Sequence, residues 1–336
     1  MLLVASIALV VMLTSCAAQK GGTGPTTPAS PSQNGKIAFA RMGSPGATEI
    51  RVDKSEIFVV EPDGGSLGKL ATKPVGDNSP VWSPNGKRLA FEASEGHNDF
   101  NIDIYVMNSD GSGLEQVTKE PTLDRMPSWS PEGTRIAFSK VDISQMFSSA
   151  SASSSATSMR DSSNEAGIYT IRADGTDLRQ LTDDGLDEDP AWSPDGKTVA
   201  FGRLTKANGS IYTVNADGGG LRQHTDPPEG FWDSGPSWSP DGTRIAFTRT
   251  SGERPNRPDV FTMNTDGTNR RKVTGETEGA YSPDFSPDGE SIVFVGWKGG
   301  NKLYVMNADG TGVRRLTKTQ GGIMEDAPDW QPLPSS

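Results

Sequence analysis

The chain has 336 residues, of which 33% are hydrophobic, and a formal net charge of −11. The charge argues against a nucleic-acid role, because phosphates need a basic face, and the low hydrophobic content excludes a polytopic membrane protein. A single Cys excludes an intrachain disulfide, and two His leave little for metal or acid–base chemistry. The acidic balance favours cations or basic partners, with plain solubility as the competing reading.

The first element is the apolar run Leu2 to Leu13. It is too short to cross a bilayer as a helix and suits the core of a signal peptide. It ends in Leu13-Thr14-Ser15-Cys16, with the sole Cys of the chain in last place. That tetrapeptide resembles the lipobox of bacterial lipoproteins, in which the Cys is acylated and becomes the mature N-terminus. An ordinary signal peptide with an incidental Cys is the alternative. No Lys or Arg precedes the run, which departs from the usual pattern. Residues 1–15 are therefore read as a lipoprotein signal peptide and 16–33 as a flexible tether of Gly, Thr, Pro and Ser. This implies an extracytoplasmic protein, in the periplasm or at the cell surface, joined to a bacterial membrane through a lipid on Cys16.

From Asn34 onward one phrase recurs. An aromatic residue leads into a Ser-Pro-Asp-Gly type of turn at Trp82, Trp129, Trp192, Trp238 and Phe285, with a partial copy, Trp330-Gln331-Pro332, at the end. Successive aromatics lie 47, 63, 46, 47 and 45 residues apart. A period in the mid-forties suits one four-stranded propeller blade, and the long step holds an insertion, residues 144–165, in the third blade. Each unit reads as strand A ending at the aromatic, the turn, and strand B as in Val199-Ala200-Phe201. Strand C follows, as in Ile104-Tyr105-Val106-Met107, then an Asp-Gly turn and an outer strand D. The first unit, from Asn34, lacks strand A; the last, at Trp330, has only strand A. Joined, they complete a sixth blade. The expected fold is all-β: a six-bladed propeller over residues 34–332, its ring closed by the C-terminal strand A pairing with the N-terminal blade, with a tail at 333–336.

These motifs resemble the TolB-type six-bladed β-propeller, whose WD-like repeat carries the same Trp-Ser-Pro-Asp-Gly turn and a Tyr-x-Met-Asn-x-Asp-Gly strand. The resemblance covers roughly Asn34 to Pro332. The α/β domain that precedes the propeller in TolB has no counterpart in the residues before Asn34, so its partner contacts are not implied.

The Ser-Pro-Asp-Gly and Asp-Gly turns share one rim and are uniform, which reads as architecture. The six Asp-Gly turns lack the spacing of a Ca²⁺ loop, and turn chemistry outweighs metal there. No metal-ligand set is expected, and Ca²⁺ is the one candidate cofactor. The opposite rim varies, as functional loops do. There an acid stands three residues before the strand-A Pro: Asp77, Asp124, Asp187, Asp233 and Glu325, with Ala280 breaking the series. Glu188, Asp189 and Asp326 add to that field. Two readings stay open: the acids cap backbone groups locally, or they form a negative funnel for a cation or basic peptide. Trp232, Tyr281 and Trp297 fall in the same loops and are interface residue types. His97 and His224 stand too far apart in the repeats for a His-cluster site, and His224 occupies a core position.

The expected function is a lipid-anchored, non-catalytic protein-binding or scaffolding propeller of the cell envelope, recognising an envelope protein or basic peptide segment. The rivals are an envelope glycosidase or lyase using paired carboxylates and a Ca²⁺-dependent assembly module.

Overall fold

The computed structural model describes residues 34–43, 55–70, 75–94, 101–141, 166–183, 186–275, 279–298, 300–319 and 321–332. The signal peptide, Cys16 and the tether, His97, the 144–165 insertion and the tail lie outside the described residues. In chain order the strands are β1 (Ile37–Gly43), β2 (Glu56–Val60), β3 (Gly68–Lys69), β4 (Val75–Trp82), β5 (Arg88–Ser94), β6 (Ile102–Asn108), β7 (Glu115–Gln116) and β8 (Leu123–Trp129). They continue as β9 (Arg135–Val141), β10 (Gly167–Arg172), β11 (Arg179–Gln180), β12 (Leu186–Trp192), β13 (Thr198–Leu204), β14 (Gly209–Asn215), β15 (Arg222–Gln223) and β16 (Phe231–Trp238). The set ends with β17 (Arg244–Ser251), β18 (Arg254–Asn264), β19 (Arg271–Lys272), β20 (Ala280–Phe285), β21 (Ser291–Gly296), β22 (Lys302–Asn307), β23 (Arg314–Arg315) and β24 (Ile323–Trp330).

Each consecutive four from β4 onward forms one antiparallel blade, A to D, and β24 joins β1, β2 and β3 as the strand A of blade 1. The closing pair has Ile37 opposite Trp330, so the ring shuts where the repeat pattern places it. Strand A is longer than the Pro-x-Trp core of the repeat suggests, six to eight residues, because it continues past a bulge toward the opposite rim.

Local chemistry explains the blades. In the A–B turn the Ser83, Ser130, Ser193, Ser239 and Ser286 hydroxyls each accept the amide five residues on, at 2.9–3.0 Å, which fixes the hairpin. Six Phe side chains of strand B are almost wholly buried, and each packs on the aromatic directly opposite in strand C, as in Phe201–Tyr212 at 6.0 Å and Phe247–Phe261 at 5.7 Å. The short strand D is secured by a Thr that follows it: Thr118, Thr182, Thr225, Thr274 and Thr317 accept the first core amide of strand C.

Neighbouring blades are joined at two radii. Near the axis, Asp329 accepts the Trp82 amide at 2.7 Å and Asp284 accepts that of Trp330 at 2.9 Å, while Ser128 does the same for Trp192. At the perimeter, Arg222, Arg271 and Arg314 of strand D reach the carbonyls of Asp266, Asp309 and Pro62 in the next blade. The C–D turn itself must press against the preceding blade. At Gly310, with φ +89, a Cβ would fall 2.2 Å from the Val273 carbonyl oxygen, so only Gly fits.

Trp330 is 4% exposed and packs with Ile37, Phe39 and Val293 at the closure. Trp330→Ala is expected to lower unfolding stability by about 3–5 kcal/mol, read from urea denaturation.

Candidate functional site

Strand A sets the site, because it is the innermost strand of every blade and lines the central channel. Its register with strand B shifts once in five of the blades and twice in blade 2, at Val75/Asn78 and Asn78/Val81. Ser79, Met126, Asp189, Gly235, Ser282 and Ala327 stand at those bulges with φ between 47° and 58°, each directly before a Pro. Proline disfavours a right-handed helical conformation in the residue before it, and the bulge uses the left-handed region instead. Five of the six are not glycine, so the backbone there is strained and must be held by its neighbours. The holding bonds come from the preceding blade: Glu92 accepts the Met126 amide at 2.8 Å, Asp189 that of Gly235 at 3.0 Å and Thr248 that of Ser282 at 3.1 Å.

The bulge also decides which acids reach the channel. The series Asp77, Asp124, Asp187, Asp233 and Glu325 does not ring an open mouth; all five are at most 3% exposed. Asp187 takes a two-pronged ion pair from Arg203 at 2.7 and 2.8 Å, and Asp233 one from Arg249 at 2.6 and 2.7 Å. Glu325 receives Arg41 at 2.8 Å and the hydroxyls of Thr317 and Thr319. The three guanidinium groups lie over the strand B and C aromatics, as Arg41 does over Phe58 at 4.1 Å. Asp187, Asp233 and Glu325 thus anchor strand A to strand B, and their charge is met inside the blade. Asp124 is the exception: Lys140 opposite it bonds Glu120, Thr122 donates to it at 2.8 Å, and burial pushes its carboxyl up to about 6.

The channel instead holds Glu92, Glu188, Asp189 and Asp326, with one cation among the described residues, Arg125, 3.5 Å from Glu92. Arg125 is also under the influence of Glu188 and Asp189, and Asp326 under that of Glu92 and Asp189. Blades 1 and 4 stand opposite each other in a six-membered ring, so Asp326 and Asp189 meet only across the channel. The half-exposed carboxylates there are hemmed in by protein on all sides. Burial pushes Glu188, Asp189 and Asp326 upward, and mutual repulsion adds to it; Asp326 reaches about 6. Glu92 and Arg125 were not legible as site residues from the repeats alone, because neither occupies the acid-before-Pro position.

Three aromatic candidates flank this mouth, each half-buried. Tyr281 packs edge-on against Trp297, 6.4 Å between centroids, and accepts a hydrogen bond from Asn301 at 2.9 Å. Trp232 covers the junction of blades 4 and 5, where it pairs with Gly209. Of the structural aromatics, Trp82, Trp129, Trp192, Phe285 and Trp330 are buried at the blade interfaces and Trp238 is half-buried.

At the opposite mouth a cavity of about 460 Å³ is lined by Trp82, Phe285, Trp330, Asp284 and Asp329. Asp284 and Asp329 are neighbouring carboxylates, both pushed upward by burial, and Asp329 further by Asp284. Each is already bonded to a Trp amide, a duty Ser128 performs in blade 3. The Asp-Gly turn acids, such as Asp110 and Asp309, accept the amide two residues on and form turns. Among the described residues no three His, Cys, Asp or Glu side chains are grouped to hold a metal ion. His224 is 9% exposed and its Nε2 lies 2.8 Å from the Thr213 hydroxyl, a core contact. No helix among the described residues is long and apolar enough to cross a membrane.

Comparison with known proteins matches residues 46–178 and 235–335 to the family described as the TolB beta propeller domain. The Protein TolB homolog of Chlorobium luteolum is 32% identical over 149 residues, 44% of this chain and 33% of the relative. The chain thus matches about a third of that relative's length. The crystal structure of TolB from Acinetobacter baumannii superposes with a TM-score of 0.69 at 22% identity, over 89% of this chain and 67% of that one. Oligogalacturonate lyase from Vibrio parahaemolyticus gives a TM-score of 0.52 at 14% identity, over 85% and 87% of the two chains. At such identities the two structures speak for the fold alone.

Two outcomes follow from the geometry. Asp233→Asn leaves the Arg249 guanidinium without its buried counter-charge and is expected to cost about 3–5 kcal/mol in urea unfolding. Asp326 and Asp124 bind protons more tightly folded than unfolded. Stability is therefore expected to fall as pH rises from about 4 to about 6, where the folded state holds more protons than the unfolded chain. Thermal melts across that window should show the decline, and Asp326→Asn should flatten it.

Proposed function

Because the chain belongs to the TolB β-propeller family, we propose that it is a protein-binding or scaffolding module of the bacterial cell envelope that takes a basic segment of a partner into its acidic channel mouth. A lipid on Cys16 holds it at the extracytoplasmic face of the membrane, with residues 17–33 as the tether. The observation that carries the reading is the charge imbalance of the channel: among the described residues, Glu92, Glu188, Asp189 and Asp326 face one guanidinium, that of Arg125. A narrow passage with low-dielectric walls focuses such a field and favours a Lys- or Arg-bearing segment. Tyr281, Trp297 and Trp232 at the same end offer aromatic contact surface. In this reading Asp187, Asp233 and Glu325 hold the blades in place for the site, and they and the buried Asp77 do not touch the partner.

Capture of envelope proteins on the full chain tests the site. Glu188→Gln with Asp326→Asn is expected to reduce partner recovery roughly ten-fold or more, and raised salt should weaken recovery by the unaltered chain. Recovery that is unchanged in the double variant removes the channel from the recognition. For the anchor, Cys16→Ala should leave the membrane fraction on salt and carbonate washing; retention there refutes lipidation.

A further inference from the structure

The residue that precedes each strand-A bulge is Asn78, Arg125, Glu188, Ser234, Tyr281 or Asp326. Arg125 is the one cation among these six equivalent positions. It is only a quarter exposed, it lies 3.5 Å from Glu92, and Glu188 and Asp189 of the next blade also stabilise its charge.

A purely structural explanation would make Arg125 the counter-ion that allows Glu92 to hold the Met126 amide. The equivalent bond three blades on speaks against that need. Thr248, a neutral hydroxyl at the position matching Glu92, holds the Ser282 amide at 3.1 Å with no ion pair involved. The bulge therefore does not require a carboxylate or its partner guanidinium. What the Glu92–Arg125 pair adds is a positive charge fixed at the edge of Glu188 and Asp189, where an incoming cation would stand.

We infer that Arg125 is a specificity-determining residue of the channel: a resident cation that competes with the Lys or Arg side chains of the partner for Glu188 and Asp189. This rests on the proposed basic-segment reading and adds its regulation. One guanidinium shared among three carboxylates leaves each incompletely paired. A segment with a single positive charge gains little over the resident group, whereas one with several engages Glu188, Asp189 and Asp326 together. The chain would thus reject isolated cations and accept clustered ones.

The test is fluorescence anisotropy with a labelled hexapeptide of alternating Lys and Gly and with a matching peptide carrying one Lys. It uses the full chain at pH 9, above the range into which burial pushes Glu188, Asp189 and Asp326. Arg125→Gln is expected to raise affinity for both peptides roughly five-fold or more and to narrow the gap between them. Arg125→Gln combined with Glu92→Gln, which keeps the net charge unchanged, should retain the gain, because Glu188 and Asp189 remain released. Arg125→Lys should bind as the unaltered chain does and serves as the folded control, checked by thermal melting. If the unaltered chain binds the hexapeptide and Arg125→Gln binds it no more tightly, the competition is wrong while the basic-segment reading stands. If the gain disappears with Glu92→Gln, net charge explains it and the inference fails. Binding of neither peptide by the unaltered chain or either Gln variant overturns both the inference and the reading beneath it.

Discussion

The pairing of β24 with β1 is the contact on which every other feature depends. It sets Trp330 opposite Ile37 and completes blade 1 from the two ends of the domain. A channel exists only if the ring is shut, and the opposed acids of blades 1 and 4 face each other only in a shut ring. The bonds nearest this closure are also the most polar of the inner circle: Asp284 to the Trp330 amide, and Asp329 to the Trp82 amide. Outside them, Arg314 ties blade 6 to the Pro62 carbonyl of blade 1. Closure is thus secured at the axis, through the sheet and at the perimeter.

The strand-A bulge converts this scaffold into a site. On an unbroken strand, alternation would carry one set of side chains to one face along its whole length. The left-handed residue before each Pro resets that phase, so the segment on the far side of the bulge presents new side chains to the axis. One acid series is thereby turned into the blade, where Arg41, Arg203 and Arg249 meet it. The residues one and two places later face the channel and keep their charge unpaired by strand B. Strain at the bulge is held by hydrogen bonds from the previous blade, which makes site geometry a property of the ring.

The repeats made most of the fold legible. Trp82, Trp129, Trp192, Trp238 and Phe285 with their turns gave blade number and register, and the orphan strands at Asn34 and Trp330 gave the closure. The site was less legible for a physical reason. A sequence periodicity reports which positions are equivalent, not which way they point after an irregularity. Asp187 and Glu188 are adjacent and equally acidic, yet one is paired with Arg203 and the other feels Asp189 and Arg125. The Phe-x-Arg pattern of strand B (Phe39 and Arg41, Phe201 and Arg203, Phe247 and Arg249) was available as a signal that the acids opposite were spoken for. Arg125 and Glu92 repeat nowhere else, and a reading built on repetition passes over what occurs once.

The closure by β24 carries a consequence for biogenesis. Ile37, Phe39 and Ala40 are fully buried, and their inner neighbour is the strand furthest along the chain. During synthesis blade 1 is therefore the first to emerge and the last to be finished. Its apolar edge waits, open to mispairing, until some three hundred later residues have been delivered. Such a long-range final contact slows the rate-limiting step of folding. A chain stalled or clipped before Ile323 retains five complete blades and an uncapped strand at each end of the arc. The fate of such an arc is set by its exposed edges: it recruits a second strand, its own copy or a chaperone.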